Sequence, residues 1–180
     1  MSLENAILGL LTIKPMSGYS MKRDYFDQSI GFFWPADQAQ IYRTLDRLLK
    51  LEHVTVQTDD SGPRPARKIY SISEKGFESL INWLGQAHNV SAERFPFLVQ
   101  VYAGRHMPKE AFLRILNAYR DIRHRKLQEY QAIKLEPGEN ELMRSQMKFG
   151  QYTLDFGLRY EQMQLDWVDQ VIAKVESEEG

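Results

Sequence analysis

Tyr42, Arg43, Arg47 and Lys50 cluster in the stretch QAQIYRTLDRLLK, residues 38–50. At helical spacing Ile41, Leu45 and Leu48 share one face, while Arg43, Asp46, Arg47 and Lys50 point away and Tyr42 sits at the border. Arginine can donate two parallel bonds to guanine O6 and N7, and cations on the same face attract phosphate. A helix locked into a core on one side and bearing two arginines and a lysine on the other suits insertion into a DNA major groove. A solvated helix surface has the same make-up, so the helix alone does not decide.

The elements around it sharpen the reading. Asp37 can cap the helix, with Gln40 three residues on as its capping-box partner, and Pro35 keeps the helix from starting earlier. Two helices precede it. Ser2 to Thr12 carries an apolar stripe of Leu3, Ile7, Leu10 and Leu11, and Ser17 opens a second helix that runs to Phe26. Phe32, Phe33 and Trp34 are expected to wedge the intervening turn against the core. After His53 the period changes to two: Val54, Val56 and Thr58 alternate, residues 59–65 turn, and Lys68 to Ile72 is strand-like again. Arg64, Arg67 and Lys68 make this a hairpin with a basic tip, able to reach phosphates or a minor groove. Ser73 to Gly76 opens a fourth helix with Phe77, Leu80, Ile81 and Leu84 as its apolar face. Three helices, a basic wing and a helix in that order are far more specific than any one of them.

The second half is helical. A short apolar segment spans 93–102, Pro108 opens a helix through Lys134, and from Glu141 to about Val175 no proline interrupts. This last helix is apolar on two sides. Phe149, Thr153, Phe156, Tyr160, Met163, Trp167 and Val171 form one stripe; Leu154, Leu158, Leu165, Val168, Ile172 and Val175 form the other. A helix apolar on two sides must be covered twice, so one stripe is expected on its own chain and the other on a second copy. The spacing does not say which. Leu154, Leu158, Leu165, Trp167, Val168 and Ile172 are the dimerisation candidates, and a single thick intrachain core is the alternative. Gly150 and Gly157 lie on one edge and allow close backbone approach.

The architecture is thus mainly α: a winged helix-turn-helix domain with a two-stranded wing at 1–88, and a long-helix dimerisation domain at 89–180. With 180 residues and 43% hydrophobic content the chain has material for both cores. Its net charge of −1 announces no bulk attraction to nucleic acid or membrane, so DNA binding must come from a local patch. The absence of cysteine excludes disulfides and thiolate chemistry and fits a cytoplasmic setting. The apolar start Ala6 to Leu11 is too short to span a membrane. His53, His88, His106 and His124 are scattered, no two at the spacing of a metal site, and no phosphate-cradling glycine loop occurs. No enzyme, metal or cofactor is expected.

Gly18-Tyr19, the segment Phe33-Trp34-Pro35 followed by Ile41-Tyr42-Arg43-Thr44-Leu45-Asp46-Arg47-Leu48, and the run GPRPARKIYSISEKG from Gly62 to Gly76 together resemble the PadR family of bacterial transcriptional regulators. The run LDFGLRYEQMQLDW from Leu154 to Trp167 is similar to the longer C-terminal domain of its two-domain members. The resemblance implies a homodimeric repressor on double-stranded DNA, with Tyr42 and the basic residues of its helix at the operator and the C-terminal helices supplying the dimer interface. It also implies a small aromatic effector, for which Phe95, Phe97, Tyr102, Phe156 and Tyr160 are the expected cavity residues. One departure stands out: the family commonly ends the recognition helix with a glycine, and Leu51-Glu52-His53-Val54 has none.

The resulting expectation is a DNA-binding regulator, with Arg43 and Arg47 on bases of a near-palindromic site and Tyr42, Lys50, Arg64, Arg67 and Lys68 on phosphates. Tyr19, Gln38 and Gln40 complete the candidate contact set. The rival is a winged-helix interaction module that dimerises and docks a protein partner without specific DNA binding. The operator, the regulated gene and the effector are not written in the sequence.

Overall fold

A computed structural model of the chain describes residues 2–60, 66–87, 93–134 and 141–178. The chain falls into two compact units, Met1–Asn89 and Val90–Gly180.

In the first unit α1 (Ser2–Leu11) buries Ile7, Leu8, Leu10 and Leu11 against Ile41, Leu45 and Leu48 of α3 (Gln38–Lys50). Between them α2 (Gly18–Met21) is capped by Ser17, whose hydroxyl accepts from Ser20 N at 3.1 Å. The expected second helix then departs from α geometry: Lys22–Phe26 form a π-turn, closed by Asp27 N donating to Lys22 O at 2.8 Å. A short 3-10 turn, Ile30–Phe32, leads on. Gly31 is obligatory there, since a Cβ would stand 1.9 Å from the Phe26 carbonyl.

Strands β1 (Val54–Asp59) and β2 (Arg67–Ile72) pair antiparallel, from Val54 opposite Ile72 to Asp59 opposite Arg67. Met16 adds a bridge to Tyr70, exchanging both backbone bonds, and so ties the wing to the loop after α1. Tyr70 and Val54 reach the core, whereas Val56 is exposed because the hairpin projects beyond it. The hairpin tip, with Arg64, lies outside the described residues.

Helix α4 (Glu74–Leu84) starts on Ser73, whose hydroxyl accepts from Gly76 N and donates to Glu52 O. Of its expected apolar face only Leu80 is buried; Phe77, Ile81 and Leu84 stay at the surface.

The second unit holds α5 (Pro96–Tyr102), α6 (Lys109–Gln131) and α7 (Glu141–Ser177). Helices α6 and α7 run antiparallel: Lys109 Nζ donates to the carbonyls of Glu176 and Glu178 at one end, and Tyr130 covers Gly157 towards the other. Leu116, Val168 and Ile172 form the buried centre, with Trp167, Val171 and Val175 packed around it.

Candidate nucleic-acid interface

The exposed face of α3 begins with the expected capping box. Asp37 Oδ1 accepts from Gln40 N at 2.7 Å, and Gln40 Oε1 accepts from Asp37 N at 2.8 Å. Ile41, Thr44, Leu45 and Leu48 are buried, which turns Ala39, Tyr42, Arg43, Asp46, Arg47 and Lys50 outward. Gln38 is exposed beside the cap; Gln40 is exposed too, with its side-chain oxygen committed to Asp37.

Tyr42 is fixed from beneath. A Cβ on Gly18 would come within 2.8 Å of its ring, so the glycine makes room for the tyrosine at the α2–α3 crossing. Tyr19, next in α2, is exposed and has the Arg23 guanidinium 5.5 Å from its ring centroid. Behind α3, burial pushes the Tyr70 phenol up, with the charge of Asp46 and the neighbouring Tyr42 adding, so Tyr70 stays protonated. An open groove of about 400 Å³ at the start of α3 is lined by Lys22, Phe26, Asp27, Pro35, Ala36, Asp37 and Gln40.

The cations divide into two kinds. Arg43, Lys50 and Lys68 are exposed with no ion-pair partner among the described residues. Arg47 is ion-paired through Nε with Glu4 of α1, and Arg67 is held by Asp59 across the wing at 2.8 Å. Spacing along one helix or strand could not reveal either acidic partner.

The aromatic hinge needs correcting. Phe32, Phe33 and Trp34 do not wedge into the core: all three are at least 36% exposed, and Ala36, Phe26 and the half-buried Ile30 fill the gap instead. Three consecutive residues in a tight turn cannot all face inward.

The end of α3 resolves the missing glycine. Glu52 takes the left-handed conformation itself, at φ 61°, while Glu52 N bonds Leu49 O at 3.0 Å and His53 N bonds Leu48 O at 2.9 Å. These are the two bonds of a Schellman cap, with glutamate in the place glycine usually takes. Lys75 Nζ meets its carboxylate at 3.0 Å, and a Cβ at Gly76 would stand 2.0 Å from the His53 carbonyl. Helix α3, the wing and α4 are therefore joined within a few ångströms.

In the second unit the dimerisation candidates lie mostly on the side that the unit's own helices cover. Leu165, Val168 and Ile172 are buried within the unit, Trp167 meets Phe97 edge-on at 6.1 Å, and Leu154 and Leu158 are half-buried. Val168 and Ile172 share one buried cluster with Leu116 of α6. The other stripe is bare in part: Phe149, Thr153, Phe156 and Met163 are exposed, with Tyr152 beside them, while Tyr160, Trp167 and Val171 are half-buried. Gly157 receives the Tyr130 ring of its own chain, while Gly150 faces open space.

The five cavity candidates are not gathered around one space. Tyr102 is 91% exposed and Phe156 69%; Phe156 lies over Tyr160, whose hydroxyl donates to Glu93. Phe95 is at the surface ahead of α5, and Phe97 stacks on Tyr119 with centroids 3.7 Å apart. Next to that stack lies a buried polar network that spacing along the chain does not announce. Arg123 Nη1 meets both oxygens of the buried Glu161 at 3.3–3.4 Å, its guanidinium lies 4.8 Å from the Tyr119 ring centroid, and Tyr119 donates to Gln164. Burial pushes the phenols of Tyr119 and Tyr130 up.

Among the described residues no His, Asp and Glu side chains gather to hold a metal ion, and no helix is long and apolar enough to cross a membrane.

Residues 7–82 match the transcriptional regulator PadR-like family, and residues 93–176 match the virulence activator alpha C-terminal family. A probable transcriptional regulator of Mycobacterium tuberculosis is 31% identical over 183 residues, covering 95% of this chain and 96% of its own. The negative transcriptional regulator PadR of Bacillus subtilis is 26% identical over 98% of both chains. Its crystal structure with operator DNA superposes with a TM-score of 0.83 at 24% identity, over 97% of this chain and 99% of that one. Its structure with p-coumaric acid gives a TM-score of 0.81 at 25% identity, over 98% and 100%. The winged unit with its exposed basic helix and the helical unit that follows it in the chain are the two halves of one known kind of protein, and the chain belongs to the PadR-like family of transcriptional regulators, which bind DNA and are not enzymes.

Proposed function

We propose that this regulator is a cytoplasmic repressor that binds a near-palindromic operator as a homodimer. The observation that carries the reading is the α3 surface: a core-locked helix whose outward side offers Tyr42, Arg43, Arg47 and Lys50. Arg43 and Arg47 read base edges; Tyr42, Lys50 and Lys68 hold phosphates, with Tyr19, Gln38, Gln40 and the wing residues Arg64 and Arg67 at the margin. The bare Phe149, Phe156 and Met163 stripe of α7 supplies the contact between copies, because a water-exposed row of large apolar side chains gains most from a second such row. Two copies then present α3 about 34 Å apart, one turn of DNA.

A small aromatic acid is the proposed effector. The support is the Bacillus subtilis PadR complex with p-coumaric acid, together with the Phe97, Tyr119 and Trp167 cluster beside Arg123 and Gln164, which offers stacking surface and N–H donors to a carboxylate.

The test is anisotropy on an enriched duplex and on a random one, each at two salt concentrations. Arg43→Ala is expected to cost about 1–3 kcal/mol on the enriched duplex and to relax its sequence preference. Lys68→Ala weakens both duplexes alike and lowers the salt slope by about one. Equal effects of the two variants on the two duplexes would refute these roles. Failure of p-coumaric acid or any related acid to release the enriched duplex would remove the effector.

A further inference from the structure

We propose that Glu4, on the first helix and outside every base-contacting element, is a positioning residue for sequence recognition: it aims Arg47. The inference rests on the reading of α3 as the recognition helix. Arg47 sits on the flank of α3 that faces α1, one turn beyond Arg43. Glu4 meets it at Nε, the nitrogen nearest the chain. The Glu4 side chain is only 17% exposed and that of Arg47 is 55% exposed, so the anchored end of the pair is enclosed and the far end of the guanidinium is in water. A guanidinium whose inner nitrogen lies against a carboxylate keeps its outer N–H groups for another acceptor, and the ion pair narrows the positions the side chain can take.

The packing holds Glu4 as firmly as Glu4 holds Arg47. Ile7 and Leu8, one turn along α1, are buried to 0% and 1% exposure in the same core as Leu45 and Leu48 of α3. Arg43 has no such support among the described residues, and must lose its rotamer freedom when it binds. The two arginines thus differ in kind: one preset, one free. A preset donor pair discriminates through geometry, because a base whose acceptors lie elsewhere cannot be followed.

The experiment uses the full-length protein, a duplex enriched from a random pool by the wild type, and an unselected duplex of the same length. Glu4→Gln keeps the shape and removes the charge. Its affinity for the enriched duplex is expected to fall while that for the unselected duplex holds or rises, lowering the ratio by about five- to tenfold, a fraction of what a good bidentate pair contributes. In an Arg47→Ala background the same substitution changes the ratio no further. Glu4→Asp, which keeps the charge but draws it back from Arg47, is expected to lower the ratio as well and stands in should Glu4→Gln melt early. An unchanged ratio, with or without a lower Tm, makes the pair merely structural and overturns the proposal. So do tighter binding of Glu4→Gln to both duplexes, which marks Glu4 as a competitor for Arg47, and additivity with Arg47→Ala. If the wild type enriches no sequence at all, the recognition-helix reading fails first, before any substitution is made.

Discussion

The two units expose opposite chemistry on helices built by the same rules. In the first, α3 hides its aliphatic side in a core that includes fourteen buried apolar residues among those described, and turns cations outward. In the second, α7 hides one apolar stripe against a centre of only Leu116, Val168 and Ile172, and leaves a second stripe of large apolar side chains in water. A surface helix needs one covered face to be stable. Helix α3 meets that need and has a polar face to spare, whereas α7 has more apolar surface than its unit covers. The outward face of α3 is finished for an anionic partner, and that of α7 only by another apolar surface.

The harshest way to break this contrast is at the joint of the first unit. Gly76→Ala sets a methyl 2.0 Å from a backbone carbonyl that no rotamer can move aside, so the start of α4 must separate from the end of α3. A loss of about 3 kcal/mol or more is expected in denaturant titration of the full chain, with DNA binding lost in parallel. A cost below about 1 kcal/mol would mean the joint is looser than described.

The next test sets the two stripes of α7 against each other. Leu165→Ala is expected to destabilise the helical unit by about 2–4 kcal/mol at any protein concentration. Phe156→Ala, at an exposed position, is expected to leave a monomer's stability nearly unchanged and to shift sedimentation from dimer towards monomer. The reverse pattern would return the dimer contact to the leucine stripe.

The smallest effect should be a gain. Glu52→Gly removes a side chain from a left-handed backbone, and stabilisation of about 0.5–1 kcal/mol is expected in the same titration. The lost contact with Lys75 subtracts little, because Glu52 is 80% exposed and such pairs are weak. A net loss would show that the glutamate holds the wing as well as ending the helix.

Legibility in the sequence followed the range of the interaction. Asp37 and Gln40 act across three residues, so the start of α3 could be read directly, and the change from helical to alternating period announced the wing. Glu4 and Arg47 meet only after α1 folds on α3, and Asp59 and Arg67 only across the hairpin, so the charges looked free in the chain and are not. On α7 both stripes obey the same spacing; the choice between them is made by Leu116 and Tyr119, on a different helix. The end of α3 was hidden for another reason. Glycine is the usual mark of a left-handed cap, and Glu52 accepts the conformation without being the residue that advertises it. Beyond Met21 the pattern predicted an α-helix through Phe26, since five residues of π-turn differ from α only in which carbonyl each N–H selects.

That π-turn makes residue count a variable in its own right. Each residue in a helix advances the chain by about 100°, and a π-turn takes in one residue more than the α-turn it replaces. The phase gained between Met21 and Asp27 decides which way Ile30 to Trp34 leave α2, and from there where Asp37 starts α3. A single deletion within Lys22–Phe26 keeps every side chain on the outward face of α3 and still re-aims that face. In this stretch, an insertion or deletion is a larger change than any one substitution.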